Sequence, residues 1–219
     1  MPNGIKEIPE FIFRECSRLE KIEIPFGITR IKEYAFYGCL GLKSVTIPIG
    51  LVQIDERAFA SCTSLTTIEL PTVMLIGKNA FFDCKNMRKI IFGNCLVSVY
   101  SGAFSNCEEL TDVYCYRDTV LSTNLIASDV FKGSQVKYAT LHVLEQLVSQ
   151  YKLTKPWSEF GNIVALTNEE TGVPETQKDI DESKCIIYNI NGRQISKFQK
   201  GLNIVVQKNG EVKKVFNKW

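Results

Sequence analysis

The sequence has one histidine, His142, and lacks Gly-x-Ser-x-Gly, His-Glu-x-x-His and glycine-rich phosphate-loop motifs. Nucleophilic catalysis needs a base beside the nucleophile, and a lone histidine gives no evident candidate. A catalytic pair of carboxylates, as in glycoside hydrolases, is not excluded by the number of Asp and Glu residues. The sequence therefore favours a protein that is not an enzyme and that needs no cofactor.

Long apolar runs and concentrated positive charge are also missing. No run of 18 apolar residues occurs, which argues against a membrane-spanning helix. The formal net charge is only +2, and no stripe of Lys and Arg with interleaved aromatic residues occurs in the repeats, so we expect no nucleic-acid partner. Residues 1–4 lack the pattern of a secretory signal, and repeat sequence is already present at Ile5. We therefore expect a fragment whose natural start is missing.

One pattern, Ile-x-x-x-Ala-Phe-x-x-Cys-x-x-Leu-x-x-Ile-x-Ile-Pro, recurs five times in the first 115 residues with a period of 22–23 residues. Such a period predicts a solenoid of stacked coils. Two residue types occupy equivalent, inward-facing places in successive coils and should form ladders inside the stack. They are Phe13, Phe36, Phe59, Phe81 and Phe104, and Cys16, Cys39, Cys62, Cys84 and Cys107.

The eight cysteines raise the alternative of disulfides or a metal site. Metal sites need short Cys-x-x-Cys spacings or histidine-bearing clusters, and neither occurs, so no metal is expected. Side chains that run parallel along a ladder also make the torsion of a disulfide awkward. We interpret the ladder cysteines as buried free thiols. Cys95, Cys115 and Cys185 lie outside the ladder, and the sequence does not indicate how they pair.

Within one coil, the segment at Val45 and Ile47 alternates apolar and polar residues, which predicts a strand. Proline lacks an N–H for a ladder hydrogen bond and ends this strand at Pro25, Pro48 and Pro71. Between the strands, apolar residues at spacings of three and four favour a short helical or 3₁₀ turn that carries the Phe and the Cys inward.

These repeats resemble the BspA-type, or Treponema pallidum type, leucine-rich repeat of bacterial surface proteins and some protists. The resemblance rests on Leu-x-x-Ile-x-Ile-Pro segments that end at the three prolines, each preceded by Phe-x-x-Cys, and it covers residues 5–115. It implies a curved leucine-rich repeat solenoid with a parallel sheet along one face. It also implies a noncatalytic protein at the surface of, or secreted by, a Bacteroides-like bacterium.

A degenerate sixth coil follows, in which Phe131 takes the phenylalanine place and Ser134 the cysteine place. Residues 116–125 are polar enough for a surface loop. Helical spacing and the aromatic residues Trp157 and Phe160 then predict a cap over 143–166, which closes a solenoid domain of residues 1–166; similar Trp-x-x-Phe endings close many members of the family.

Two segments remain after the solenoid. Residues 167–183 carry six acidic side chains against one lysine and little that is apolar, which indicates a linker. Residues 184–219 carry eight basic side chains against one glutamate, and two Asn-Gly pairs between apolar runs predict a small antiparallel β-hairpin module. The run from Ile187 to Val205 resembles the C-terminal tail of secreted Bacteroidetes proteins, related to a type IX sorting domain, which implies export.

Side chains that alternate with the buried strand residues must point outward, and they are the candidates for binding. They are Lys21, Glu23, Ser44, Thr46, Thr67, Glu69, Lys89, Ile91, Asp112, Tyr114, Thr140 and His142. In the C-terminal half, Ile91 and Tyr114 form either an interface patch or a surface that packs against the 116–125 loop.

Three functions fit these observations. The first is an adhesin-like protein whose solenoid binds a protein or glycan of host or bacterial origin, including proteins of the extracellular matrix. The second is a structural spacer that holds another domain away from the cell envelope. The third is a fragment of a carbohydrate-active enzyme, which would need a cleft with two carboxylates.

Overall fold

The computed structural model describes residues 4–167 in full and the backbone of four later strands. The first nine strands are β1 (Glu7–Ile8), β2 (Lys21–Glu23), β3 (Arg30–Ile31), β4 (Ser44–Thr46), β5 (Gln53–Ile54), β6 (Thr67–Leu70), β7 (Leu75–Ile76), β8 (Lys89–Phe92) and β9 (Ser98–Val99). The others are β10 (Asp112–Cys115), β11 (Thr140–Val143), β12 (Asn162–Ala165), β13 (Cys185–Asn189), β14 (Gln194–Ile195), β15 (Gly201–Gln207) and β16 (Val212–Asn217). Helical segments are the 3₁₀ turns Val136–Tyr138, Glu145–Leu147 and Trp157–Glu159 and the one-turn helix α1 (Val148–Tyr151).

Residues 4–167 form a parallel β-solenoid, as predicted. A narrow sheet of two-residue strands has the order β1-β3-β5-β7-β9. A second sheet, here called the wide sheet, takes one strand from every coil and consists of a β2-β4 pair and a five-stranded part ordered β12-β11-β10-β8-β6. All these pairings are parallel, and the core lies between the two sheets.

Alternation sets which strand residues are buried. In β8, Ile90 and Phe92 are fully buried, whereas Lys89 and Ile91 are half-buried on the outer side. Gly93 then takes the place that proline holds in the earlier coils. Its N–H donates to the Leu70 carbonyl at 3.1 Å, and a Cβ there would lie 1.9 Å from the Pro71 oxygen, so the close approach of two coils requires glycine.

The turns between the sheets are of the 3₁₀ kind but do not extend into helices. Cys39 N–H donates to the Phe36 carbonyl at 3.2 Å, an i to i−3 bond. Left-handed residues interrupt each of the first five turns twice and the sixth turn once, so a continuous helix cannot form. One series is Phe11, Tyr34, Arg57, Asn79 and Gly102, and the other is Glu15, Gly38, Ser61, Asp83, Asn106 and Gly133.

The left-handed conformation turns backbone N–H groups along the solenoid axis. Tyr34 N–H donates to the Glu56 carbonyl of the next coil at 3.1 Å, and Gly38 N–H donates to Ala60 at 2.9 Å. Phe36, between them, donates to Ala58 at 2.7 Å. Each turn is thus tied to the next coil by backbone hydrogen bonds at alternate residues.

The phenylalanines stack face to face inside the turns. Successive ring centroids from Phe13 to Phe104 are 5.0, 4.9, 5.2 and 5.0 Å apart, with interplanar angles of 12° or less. Phe131 continues the stack at 6.0 Å from Phe104, although an insertion separates the two coils. Phe36, Phe59 and Phe81 are completely buried.

The cysteine ladder is also a ladder of hydrogen-bond donors. The Cys62 thiol lies 3.2 Å from the Phe36 carbonyl, and Cys39 and Cys84 make the same contact with the preceding coil. Ser134, which replaces cysteine in the sixth coil, donates its hydroxyl to the Phe104 carbonyl at 2.7 Å. The place therefore requires a small side chain that can donate a hydrogen bond, not merely a small apolar one.

The first coil departs from the expected ladders. Cys16 is exposed and Phe13 is only half-buried, against the expectation that both point into the core. The reason is geometric: no coil of the described structure covers the N-terminal side of these residues.

The segment 143–166, predicted as a cap, adds a strand of its own. It ends in β12, which pairs in parallel with β11, and thus forms a seventh turn. Its apolar residues close the core: Trp157 and Tyr151 are fully buried, and the Trp157 ring lies 5.8 Å from Phe131 and 6.3 Å from Phe92.

The antiparallel module expected in residues 184–219 is present. β13 pairs with β14 and β15, and β15 pairs with β16, all antiparallel. Both Asn-Gly pairs lie outside the described residues. So does the predicted linker 167–183, apart from Thr167.

We predict that Phe59→Ala lowers the free energy of unfolding by about 3–5 kcal/mol, because it leaves a cavity in the middle of the ring stack. Urea denaturation followed by circular dichroism measures the change. Leu153→Ala is the control: this side chain is 86% exposed, and its loss should change stability by less than about 0.5 kcal/mol. If Phe59→Ala lowers the free energy of unfolding by less than about 1 kcal/mol, the ring stack does not contribute substantially to stability.

The thiols give a second prediction. Burial raises the pKa of Cys39 to about 11 and of Cys107 to about 12, and the thiolate is the reactive form. Iodoacetamide at pH 8 should therefore label exposed Cys16 in the native protein and spare the four buried ladder thiols, which peptide mass spectrometry measures. Denaturant should make all of them reactive, which controls for the reagent. Fast native labelling of Cys62 would show that the ladder opens.

Candidate functional site

The outer side of the wide sheet carries the predicted binding residues in two rows. The strand register places Thr67, Lys89, Asp112, Thr140 and Asn162 in one row, and Glu69, Ile91, Tyr114, His142 and Val164 in the other. Lys21 and Ser44 are register partners on the β2-β4 pair, as are Glu23 and Thr46. All these side chains alternate with core residues, so they share one face of the solenoid.

Tyr114 and His142 meet across two neighbouring strands. Their rings are parallel, with centroids 4.2 Å apart and an interplanar angle of 11°. Lys89, on the neighbouring strand β8, places its ammonium group over the Tyr114 ring, 5.2 Å from the ring centre. These contacts, with Ile91 beside Tyr114 in the row, form the cluster here called the aromatic patch: Lys89, Ile91, Asp112, Tyr114 and His142.

Asp112 fixes the orientation of the histidine. Its Oδ1 lies 3.0 Å from His142 Nε2. The His142 side chain is 13% exposed and that of Asp112 33% exposed, so this contact is partly shielded from water. The Tyr114 ring packs against the face of the imidazole and the Asp112 carboxylate contacts its Nε2, so two contacts from β10 orient the His142 side chain.

The other predicted binding residues do not join the patch. Lys21, Glu23 and Thr46 are exposed on the N-terminal strands, and Thr67 and Glu69 lie on the strand next to the patch. This half of the face carries hydroxyl groups and charges of both signs. The structure thus separates the candidate surface into an aromatic half and a polar half.

A cleft of about 540 Å³ opens in the polar half, between β4 and β6. Residues 43–49 form one side, and Thr66, Thr67, Glu69 and Pro71 form the other. Val45 and Ile47 line it and are half-buried, whereas their counterparts Ile68 and Leu70 are buried. The sequence pattern gave no sign of this opening, because Val45 and Ile47 follow the same apolar alternation as the buried strand residues.

Neither region has the features of a metal centre. Within residues 4–167, the structure contains no group of three or more His, Cys, Asp and Glu side chains placed to hold an ion. The same described part of the chain contains no helix with the length and apolar character needed to cross a bilayer. What the face offers to a ligand is stacked rings, charges and hydroxyl groups.

Comparison with known proteins identifies the repeats. The family described as BspA type leucine-rich repeat region matches in six copies, over residues 1–111 and 29–151. A leucine-rich repeat protein of T. pallidum is 25% identical, with a TM-score of 0.50, and the match covers 64% of this chain and 68% of that one. The pneumococcal vaccine antigen PcpA is 21% identical with a TM-score of 0.64, and the match covers 76% of this chain but only 40% of the antigen. No curated protein matches the chain.

Leucine-rich repeat families are in general binding modules without enzymatic activity, and they bind protein partners. The family match covers well over half of the chain and ends within the segment that forms the seventh turn. The stacked phenylalanines and the parallel sheets supply the geometry that this repeat implies. The chain therefore belongs to the BspA-type leucine-rich repeat family.

Proposed function

We propose that this chain is a noncatalytic, adhesin-like protein that recognises a host or bacterial macromolecule through the aromatic patch. The observation that carries the proposal is the Tyr114–His142 stack, with the Lys89 ammonium over the Tyr114 ring and the Asp112 carboxylate at His142 Nε2. Aromatic residues with adjacent charges are typical of the residues that dominate protein interfaces. Side chains that are already ordered lose little entropy when a partner binds.

The position of the patch supports a macromolecular ligand. It lies on a broad sheet face and spans three adjacent strands, β8, β10 and β11. Such a face offers contact area to a protein or to a glycan chain, and proteins of the extracellular matrix are the first candidates. The ring faces and the hydrogen-bonding groups beside them suit either class.

A location at the cell surface or outside the cell belongs to the same proposal. The pneumococcal structure with the same fold is described as a vaccine antigen. We also propose three parts for the chain: a solenoid at 1–166, an acidic linker at 167–183 and a β module at 184–219 that serves export or attachment. The change from parallel strands to an antiparallel sheet supports the last division.

The test is a binding screen of the full chain against immobilised extracellular-matrix proteins, mucins and glycans. We expect saturable binding to at least one of them, and a loss of at least about tenfold in affinity for the Lys89→Ala/Tyr114→Ala variant, since interface hot spots contribute more than about 1.4 kcal/mol. The matched control is Lys132→Ala/Tyr100→Ala, which removes the same residue types at exposed positions away from the wide sheet.

Thermal unfolding of both variants separates lost binding from lost structure. The Tyr114–His142 contact contributes about 0.5–1.5 kcal/mol, so the patch variant should stay folded. Binding that is equal in the patch variant and in the control variant would reject the patch as the site. If the native chain binds no member of the panel, the result would favour the spacer function instead.

A further inference from the structure

The β module consists of a single layer of strands. Its described strands form one antiparallel sheet in the order β14-β13-β15-β16. All helical segments of the described residues lie in the solenoid, between 136 and 159, so the described part of the module has no helix of its own to cover a face. A sheet with an apolar face must bury that face against a second layer. The composition of its two faces therefore decides whether this sheet needs a partner.

The strand register assigns the residues of the module to two faces. Ile204, in β15, is the register partner of Tyr188 and of Lys214. Successive residues of a strand belong to opposite faces, so residues at steps of two from these three share their face. That face consists of Ile186, Tyr188, Gln194, Leu202, Ile204, Val206, Val212, Lys214 and Phe216. We call it the apolar face, because seven of its nine residues are Ile, Val, Leu, Tyr or Phe.

The opposite face of the module is more polar. It consists of Cys185, Ile187, Asn189, Ile195, Gly201, Asn203, Val205, Gln207, Lys213, Val215 and Asn217. Antiparallel sheets commonly have one face packed on a core and the other toward water. The apolar face is therefore the one that needs a second layer.

Other parts of the same chain do not match the apolar face. β15 and β16 have seven and six residues, whereas the strands of the narrow sheet have two. The wide sheet has longer strands, but its outer rows carry charged residues such as Lys89 and Asp112. The predicted linker 167–183 has only Val173 and Ile180 as large aliphatic residues. Among the described sheets and this linker sequence, none is both long enough and apolar enough to cover the apolar face.

We propose that the apolar face packs against the same face of a second copy of the chain, which makes the protein a dimer. Two sheets packed face to face, about 10 Å apart, form a β-sandwich. The two faces match in strand length and composition because they are identical, and a twofold axis relates them. The inference goes beyond the proposed function, and the dimer presents two aromatic patches to one ligand-bearing surface.

The charges of the module set the orientation of the two copies. Residues 184–219 carry eight basic side chains against one glutamate, so like charges must be kept apart. Among the described strand residues, Lys214 alone brings a charge to the apolar face, and it lies on the edge strand β16. A twofold axis along the strands, between β13 and β15, places β16 of one copy over β14 of its partner. The two Lys214 residues then lie about 14 Å apart across the strands, beyond the screening length of about 8 Å at physiological salt.

The test is sedimentation velocity of the full chain over a dilution series that starts at several hundred micromolar. We expect a reversible equilibrium between monomer and dimer. Ile204→Lys should raise its dissociation constant at least about tenfold, because the variant buries a charge at the centre of the interface. Val205→Lys is the matched control, since Val205 is the next residue of the same strand and belongs to the opposite face. It should leave the dissociation constant unchanged.

Two further measurements keep the test valid if Ile204→Lys unfolds the module. Phe216→Lys makes the same kind of change on the edge strand β16 and should also weaken the dimer. The second measurement uses the native sequence, as a mixture of ¹³C-labelled and unlabelled chains, in isotope-filtered NOE spectroscopy. We expect contacts between copies from the methyl groups of Ile204 and Val206, and none from those of Val205.

Several outcomes would overturn the proposal. A native chain that stays monomeric at every concentration would do so, as would equal weakening of the dimer by Ile204→Lys and Val205→Lys. Contacts between copies that involve Val205 or the solenoid instead of Ile204 would also reject the apolar face as the interface. The Lys89→Ala/Tyr114→Ala variant should dimerise like the native chain, so failure of the proposed function and failure of this inference give different results.

Discussion

The structure depends on contacts between successive coils, because a single coil cannot bury its own phenylalanine. Phe59 has an aromatic face above it from Phe36 and another below it from Phe81, at 4.9 and 5.2 Å. Left-handed residues such as Arg57 each cost about 1–2 kcal/mol, and the N–H groups that they aim along the axis offset this cost through bonds to the next coil. Stability therefore propagates from neighbour to neighbour.

The sequence predicts this architecture well, because each coil repeats the same constraints. The period, the strand alternation and the inward Phe and Cys places can all be read from five copies of one pattern. The two left-handed places in each turn are less visible, because Tyr34 and Arg57 give no sign of them. Only Gly38, Gly102 and Gly133 at equivalent places, with asparagine at others, carry that signal. The sequence did not predict β12, the wide-sheet strand of the seventh turn, because that turn has lost the repeat pattern.

The candidate site was predictable in its positions but not in its contacts. Alternation indicates that Tyr114 and His142 both point outward, yet 28 residues separate them, and the insertion between their coils hides the register that makes their rings stack. The cleft left no trace in the sequence. Val45 and Ile47 are aliphatic and have the same spacing as Ile68 and Leu70. The structure distinguishes them, because β4 pairs with β2 and β6 pairs with β8, but no ladder joins β4 to β6.

In most coils, stability and recognition belong to different residues of the same strand. Ile90 and Val113 hold the core, and their neighbours Lys89 and Asp112 face outward, so an outward substitution alters the surface at little cost to the fold. This separation fails between β4 and β6, which are neighbours in the wide sheet but are not joined by strand pairing. There Val45 packs against the core and also lines the cleft, so a substitution that changes the shape of the cleft also changes the packing beneath it. Substitutions in the aromatic patch therefore leave the core packing unchanged, whereas a substitution at Val45 must also preserve that packing.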